Sequence, residues 1–284
     1  MKHTIALLAD VHSNSTALEA VIEDSKNYQV DEYWFLGDLI LPGPGSADLF
    51  ALLDEINVTV FLKGNWEDCF LDAIDGDIDS ENPTDVYIGK LAEYQLAKLG
   101  KENISKLREW PLHLIKEIKG LRIGLSHNLP NKNYGGALLP IQEQQQFEEL
   151  FEGHAIDIAI YAHVHHQLLR YSNQEQLIIN PGSIGQPFMS WPQLQTDRRA
   201  QYALLEIDDQ GISQVVFRKV AYNKDKELKS AKQEALPYYS LYQDLIERGK
   251  SYTHDWEVLG RINQEFGYKK EVEQFMRQIT KNKR

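Results

Sequence analysis

Seven side chains able to ligate a metal ion fall at recurring positions in this 284-residue chain. Asp10 and His12 follow an apolar run at 4–9, Asp38 follows Gly37 after a run at 33–36, and Asn65 follows Gly64 after a run at 58–62. His127 comes just after 121–126, and His163 with His165 just after 156–162. Each has an ordinary explanation by itself. Gly-Asp and Gly-Asn are turn dipeptides, Asp-x-His after a strand is commonly a turn, and a lone His is commonly a hydrogen-bonded core imidazole. Together, five strand-like runs release metal-competent groups at their carboxyl ends, where open α/β sheets place ligands. His163 and His165, two apart in what reads as an extended segment, are expected to point the same way.

The donor set is carboxylate, imidazole and one amide, with no thiolate, which suits Mn²⁺, Fe or Zn²⁺ better than Ca²⁺. Seven protein ligands are too many for one catalytic ion that keeps an open position, and suit two. A carboxylate such as Asp38 can bridge two ions roughly 3.5–4 Å apart, a spacing that clamps a phosphate and lowers the pKa of a shared water. The formal charge of −12 argues against a nucleic-acid polymer as partner, because phosphate backbones are held by basic stripes. A small phosphorylated substrate is compatible with that charge, since bound ions would supply the positive field. Cys69 is the one cysteine, which excludes an internal disulfide and a thiolate zinc cluster and suits a reducing cytoplasm. No apolar run approaches the ~20 residues of a membrane helix. The run at 4–9 reads as a buried strand rather than a secretory leader.

Positioning these groups requires strands at 4–9, 33–36 and 58–62, separated by helices at 15–26 and 45–56, the pattern of βαβ units and a largely parallel sheet. Residues 67–110 read as a helical insertion. Strands follow at 112–118, 121–126, 156–162, 167–171, 176–179, 199–207 and 215–220, with one helix at 142–151, and suggest a second, more antiparallel sheet. After Tyr222 the pattern is helical, with Val272, Phe275, Met276 and Ile279 at helical spacing. This tail is expected to pack on its own domain or to mediate a homodimer, and nothing in it suggests chemistry.

Asp10-Val11-His12, Gly37-Asp38, Gly64-Asn65-Trp66-Glu67, Ser126-His127-Asn128 and Ala162-His163-Val164-His165 resemble the five motif blocks of the calcineurin-like metallophosphoesterases. The loop from Asn180 to Pro187, together with Asn14, is similar to the small bacterial and archaeal phosphodiesterase branch, some members of which act on diadenosine tetraphosphate. The resemblance runs from residue 3 to about residue 220 and is specific for the superfamily rather than for a substrate. It implies an α/β class fold, a two-sheet α/β/β/α sandwich at 1–222 with the insertion at 67–110, followed by a helical extension at 223–284. By analogy Asp10, His12, Asp38 and His165 would hold one ion, and Asp38, Asn65, His127 and His163 the second, with Mn²⁺ or Fe favoured and Zn²⁺ also suitable. A hydroxide bridging the ions would attack phosphorus without a covalent enzyme intermediate. Asp38, Asn65 and His12 are then counted as catalytic, and Trp66, Asn14 and Asn128 as substrate contacts.

Two positions depart from the family pattern. Ala162 replaces the usual Gly, a small steric change. Trp66 stands where the family usually has His, the group that protonates the leaving oxygen or stabilises the transition state. Indole N–H donates but does not titrate. General-acid help is worth typically 10²–10⁴-fold and matters most for a basic leaving alkoxide. A nucleotide phosphate leaves more readily, so the Trp tilts expectation toward phosphoanhydrides such as dinucleoside polyphosphates and toward activated aryl diesters. An indole at the mouth would also stack on a base. The competing readings are a serine/threonine protein phosphatase, disfavoured by the missing His, and a non-catalytic scaffold, disfavoured by the full ligand set. Around this set, Glu67 and Asp68 could orient ligands but read first as a solvated helix start, and Arg198 and Arg199 could reach a substrate phosphate but read first as surface residues. His166 reads as facing away from the ligand pair, Ser183 as a weak phosphate contact, and His3, His113, His154 and His254 lack companions.

Overall fold

The computed structural model describes residues 2–282. The first sheet is built from β1 (His3–Leu8), β2 (Glu32–Phe35), β3 (Val58–Phe61), β9 (Ala200–Asp208) and β10 (Gly211–Val220), in the order β10-β9-β1-β2-β3. The second contains β4 (His113–Ile118), β5 (Leu121–Ser126), β6 (Ile158–Ile160), β7 (Gln167–Tyr171) and β8 (Leu177–Pro181), in the order β4-β5-β6-β8-β7. β1 pairs in parallel with β2, and β2 with β3, while β9 lies antiparallel to both β1 and β10. In the second sheet β5, β6 and β8 are parallel and flanked by antiparallel edges. Both sheets are therefore mixed. The last two strands, expected with the second sheet, instead return to the first, because β9 covers the open edge of β1 that no βαβ unit occupies.

Side-chain alternation explains the layers. Along β1, Ile5 and Leu7 join Trp34, Val60, Ile123, Ile160, Ile179 and Leu205 in one apolar core between the two sheets. Ala6 and Leu8 point the other way, into a core shared with the helices. A central strand buried on both faces reads as an unbroken apolar run, which is why the period-2 signal is weak there.

Helices α1 (Ser15–Ser25) and α2 (Ala47–Glu55) connect the first three strands. The insertion comprises α3 (Asn65–Asp75), α4 (Pro83–Leu99) and α5 (Lys101–Glu109). Among the described residues the short α6 (Gln144–Glu148) lies over the outer face of the second sheet, where its Phe147 packs with Tyr161 and Ile178. The longer helix expected at 142–151 is shortened to that turn and its flanks. After β10 come α7 (Lys224–Gln233), α8 (Tyr239–Arg248), α9 (Trp256–Glu265) and α10 (Tyr268–Asn282). The stripe Val272, Phe275 and Ile279 of α10 is buried, and α10 packs on α4 and α3, with Lys90 and Glu271 paired at 2.6 Å. Leu241, Ile246 and Leu259 of the tail share one core with Leu18, Phe70 and Leu91. Among the described residues no helix is long and apolar enough to cross a membrane.

Candidate metal centre

The carboxyl ends of β1, β2, β3, β5 and β6 meet at one edge of the sandwich, and the seven side chains meet with them. Asp10, His12, Asp38 and His165 bring one ligand atom each within 4.8 Å of one another, and Asp38, His127 and His163 do the same. Asp38 belongs to both groups. Asn65 Oδ1 stands 3.3 Å from His127 Nε2, which places it beside the second group.

The backbone at these positions is unusual. Asp10, His12, Asp38, His163 and His165 have φ values of 54°, 52°, 59°, 66° and 58°, all in the left-handed region. Such conformations cost of order 1–3 kcal/mol each in non-glycine residues and persist where the surroundings over-determine them. The two histidines are thus not on extended backbone, as their spacing suggests. Two adjacent left-handed turns deliver their rings, one to each donor group. Glycine is required beside them: a Cβ on Gly37 would lie 2.6 Å from Gly64 N, and one on Gly64 would strike Asp38 Oδ1.

Hydrogen bonds orient the rings. Nδ1 of His12, His127 and His165 lies 2.9, 2.7 and 2.7 Å from the carbonyls of Leu41, Leu36 and Gln186. A carbonyl accepts only, so in each ring Nδ1 carries the proton that it donates, and a neutral ring turns the lone pair of Nε2 toward the centre. His12 Nε2 and His165 Nε2 then face each other at 3.0 Å. Both oxygens of Asp10 are buried with no hydrogen-bond partner. An ionised carboxylate without donors is costly to bury, and a cation offsets that cost. The chemistry of the donor set and these orphaned oxygens fit divalent metal ions.

Electrostatics agree with a strongly coupled site. Burial lowers His12 to about 4 and His163 to about 4. Burial opposes charge on His127 as well, but Asp38 outweighs it and raises that ring to about 9. Burial works against ionised Asp38, yet His127 and His12 hold its carboxyl well below the usual range.

Several further residues support these turns, and two of them, Gln95 and Asn133, carry no signal in the sequence. Glu67 is fully buried and accepts from the amides of Asp38, Leu39 and Gly64 at 2.8, 2.7 and 2.8 Å. It ties the loop after β2 to the start of α3, which corrects its reading as a solvated helix start. Asp68 accepts from Asn133 at 2.7 Å, and Asn133 donates to Gly64 O at 2.9 Å. Buried Gln95 of α4 donates to the carbonyls of Gly43 and Gly45 and to Ser13 Oγ. Ser183 donates to Asp10 O at 2.8 Å, so it holds a ligand-bearing turn.

A cavity of about 750 Å³ opens over the centre, with Asp38, Asn65, His163 and His165 on its floor and Trp66 in its wall. The Trp66 ring meets His12 edge-on, 5.8 Å between centroids. Asn14 caps α1 by accepting from Ala17 N and donates to Tyr222 Oη, and Asn128 donates to Gly135 O. Both are buried and stand outside the cavity lining, so the structure shows a scaffolding contact for each. Cys69 lines the cavity, but burial pushes its thiol up to about 12, far from a reactive thiolate. His166 bonds Val164 O, meets Phe188 edge-on and stands outside both donor groups. The C-terminal extension, from which no chemistry is expected, supplies Leu245 and Ile246 of α8 and Thr253 and His254 of the loop before α9 to the cavity wall.

Comparison with known proteins follows the same lines. The calcineurin-like phosphoesterase superfamily domain matches residues 3–210, and the chain belongs to that superfamily. It is 26% identical over 204 residues to an uncharacterized protein of Methanocaldococcus jannaschii, covering 66% of this chain and 78% of that protein. The fold is similar to the crystal structure of a metallophosphoesterase from Sphaerobacter thermophilus, with a TM-score of 0.66, 23% identity, and coverage of 86% of this chain and 99% of that one. A hypothetical protein from Pyrococcus horikoshii gives a TM-score of 0.70 at 22% identity, covering 87% of this chain and 99% of that one.

Proposed function

We propose that this chain is a hydrolase of phosphodiester or phosphoanhydride bonds in small nucleotides, with dinucleoside polyphosphates such as diadenosine tetraphosphate as the leading class. The observation that carries the reading is Asp38 shared between two donor groups, beside an Asp10 carboxylate buried without hydrogen-bond donors. In this reading Asp10, His12, Asp38 and His165 hold one divalent ion and Asp38, Asn65, His127 and His163 the other, with Mn²⁺ or Fe favoured and Zn²⁺ suitable. Two ions held so would supply Lewis acidity, activating water and neutralising charge on the phosphate. The protein's own work is positional. The Nδ1 bonds of three histidines fix the rings, and Glu67 and Ser183 fix the turns that carry Asp38 and Asp10.

Trp66 supports the choice of substrate class. Its backbone N–H donates to Asp38 Oδ1 at 2.9 Å, and its indole faces the cavity with no proton to give a leaving alkoxide. Oxygen atoms that leave as stable phosphates or aryl oxides need no such proton. A cytoplasmic setting belongs to the same proposal, on the strength of the chain's cysteine usage.

The test compares Trp66→His with the parent, both loaded with Mn²⁺, on an alkyl phosphodiester and on diadenosine tetraphosphate. The rate on the alkyl ester relative to the anhydride is expected to rise by about 10²-fold or more. An unchanged ratio removes the leaving-group argument. Failure of the Mn²⁺-loaded parent to hydrolyse any phosphodiester or anhydride removes the function.

A further inference from the structure

Arg198 is the one Lys or Arg side chain that lines the cavity among the described residues. Its neighbour Arg199 is neutralised by Asp197, at 2.8 Å, and Asp197 also takes Lys219 at 2.9 Å. Arg198 has no carboxylate partner among the described residues and is half-buried.

What holds it is the tail. Arg198 Nη2 donates to the carbonyl of Arg248, the last residue of α8. Helix C-termini present unsatisfied carbonyls and a partial negative charge, which suit a guanidinium. Gly249 then closes the helix at φ 67°, and a Cβ there would land on Arg198 Nη1. The glycine thus serves two needs at once, the left-handed cap and the space for the guanidinium. One bond to Arg248 leaves most of the five guanidinium donors unused.

The same wall reaches the metal centre through short links. Tyr222, which also lines the cavity, accepts from Asn14, two residues past His12. Gly185 donates to Asp10 O and Gln186 accepts from His165 Nδ1, and both line the cavity. An anion near Arg198 therefore shares one chamber with a phosphate over Asp38. The remaining wall mixes apolar and aromatic residues, Trp66, Ile88, Phe188 and Ile246, with Thr253 and His254, and Arg198 is the one permanently charged cation on it among the described residues.

We infer that Arg198, aimed by the C-terminus of α8, is a specificity-determining residue that binds a second phosphate of the substrate beyond the one at the metal centre. The inference deepens the proposed function and rests on phosphate binding at that centre. It selects oligophosphates over esters that carry a single phosphate. The helical extension is then part of the substrate site.

Calorimetry on Mn²⁺-loaded protein decides it without turnover, using a methylene-bridged tripolyphosphate analogue, whose P–C–P links do not hydrolyse, and orthophosphate as probes. The parent is expected to bind the tripolyphosphate analogue about 10- to 100-fold more tightly than orthophosphate, and Arg198→Ala to lose most of that preference, a fall of about tenfold or more. Arg198→Lys, which keeps the charge but not the fork, should recover part of it. Gly249→Ala, which displaces the guanidinium without removing it, should lower the preference in the same direction. A parent without preference, or an Arg198→Ala variant in which both affinities fall in parallel or neither falls, overturns the inference. Circular dichroism checks that each variant is folded, and the parent comparison stands by itself if one is not. Absence of hydrolysis with an Arg198-dependent preference sinks only the proposed function, whereas hydrolysis without that preference sinks only the role of Arg198.

Discussion

Asp38 reaches both donor groups because the chain turns left-handed directly after Gly37, and because Gly64 leaves room for its carboxylate. His127 Nε2 at 3.3 Å and His12 Nε2 at 3.7 Å both approach its Oδ2. Asp38→Ala is expected to cut bound Mn²⁺ from two ions per chain to one or none. Hydrolysis of an aryl phosphodiester should fall by more than the roughly 10–100-fold typical of losing an outer hydrogen-bond partner. Trace-metal analysis beside the rate measurement checks this, and two retained ions would remove the bridging role. The donor types and their spacing make this residue legible in the sequence itself. The left-handed backbone that aims it is not, since φ at a Gly-Asp step follows from what packs around it.

At the scale of elements, α3 carries more than its amphipathic pattern announces. Its first residue is Asn65, its second is Trp66, and its third is Glu67, whose side chain accepts from Gly64 N, the half of a capping box that a glycine N-cap permits. An acidic residue in a first turn is ordinary for a solvated helix, so the sequence offers no means of telling a surface cap from a buried clamp. The packing of the β2 loop against the start of α3 makes the difference. Burial and the nearby Asp38 raise the Glu67 carboxyl to about 7. Glu67→Ala would strand the amides of Asp38, Leu39 and Gly64, each buried donor costing about 1–3 kcal/mol. The expected loss is roughly 3 kcal/mol or more of stability together with about 10–100-fold in metal affinity. Urea denaturation and a chelator competition measure the two, and a variant unchanged in both would show that Glu67 is not a clamp.

For the whole molecule, the return of the chain to its first sheet is the decisive event. β9 and β10 close the edge beside β1, and Asp24 of α1 locks them there. It accepts from Arg218 at 2.8 and 3.1 Å and from Tyr202 at 2.7 Å. Burial by itself raises the Asp24 carboxyl, but the Arg218 and Tyr202 donors outweigh it and hold it below its ordinary value. A depressed folded pKa stabilises fully above the unfolded value of about 3.9 and is lost as pH falls through the folded one. Asp24→Asn should therefore be less stable than the parent by about 1–3 kcal/mol near neutrality, with the gap narrowing below pH of about 4. Urea midpoints between neutrality and acid test this, and a gap constant across that range would show that the lock does not titrate.

The sequence by itself determined which metal-competent groups come together and which strands release them, because ligand chemistry is written in residue type and buried strands read as short apolar runs. It also determined that the tail is helical and apolar on one face. Only the tertiary structure decided that β9 and β10 complete the first sheet, that Glu67 is a buried clamp, and that Arg198 and the end of α8 share a chamber with Asp38. Those outcomes depend on contacts between segments far apart in the chain, and no local pattern encodes which distant surface a residue will meet.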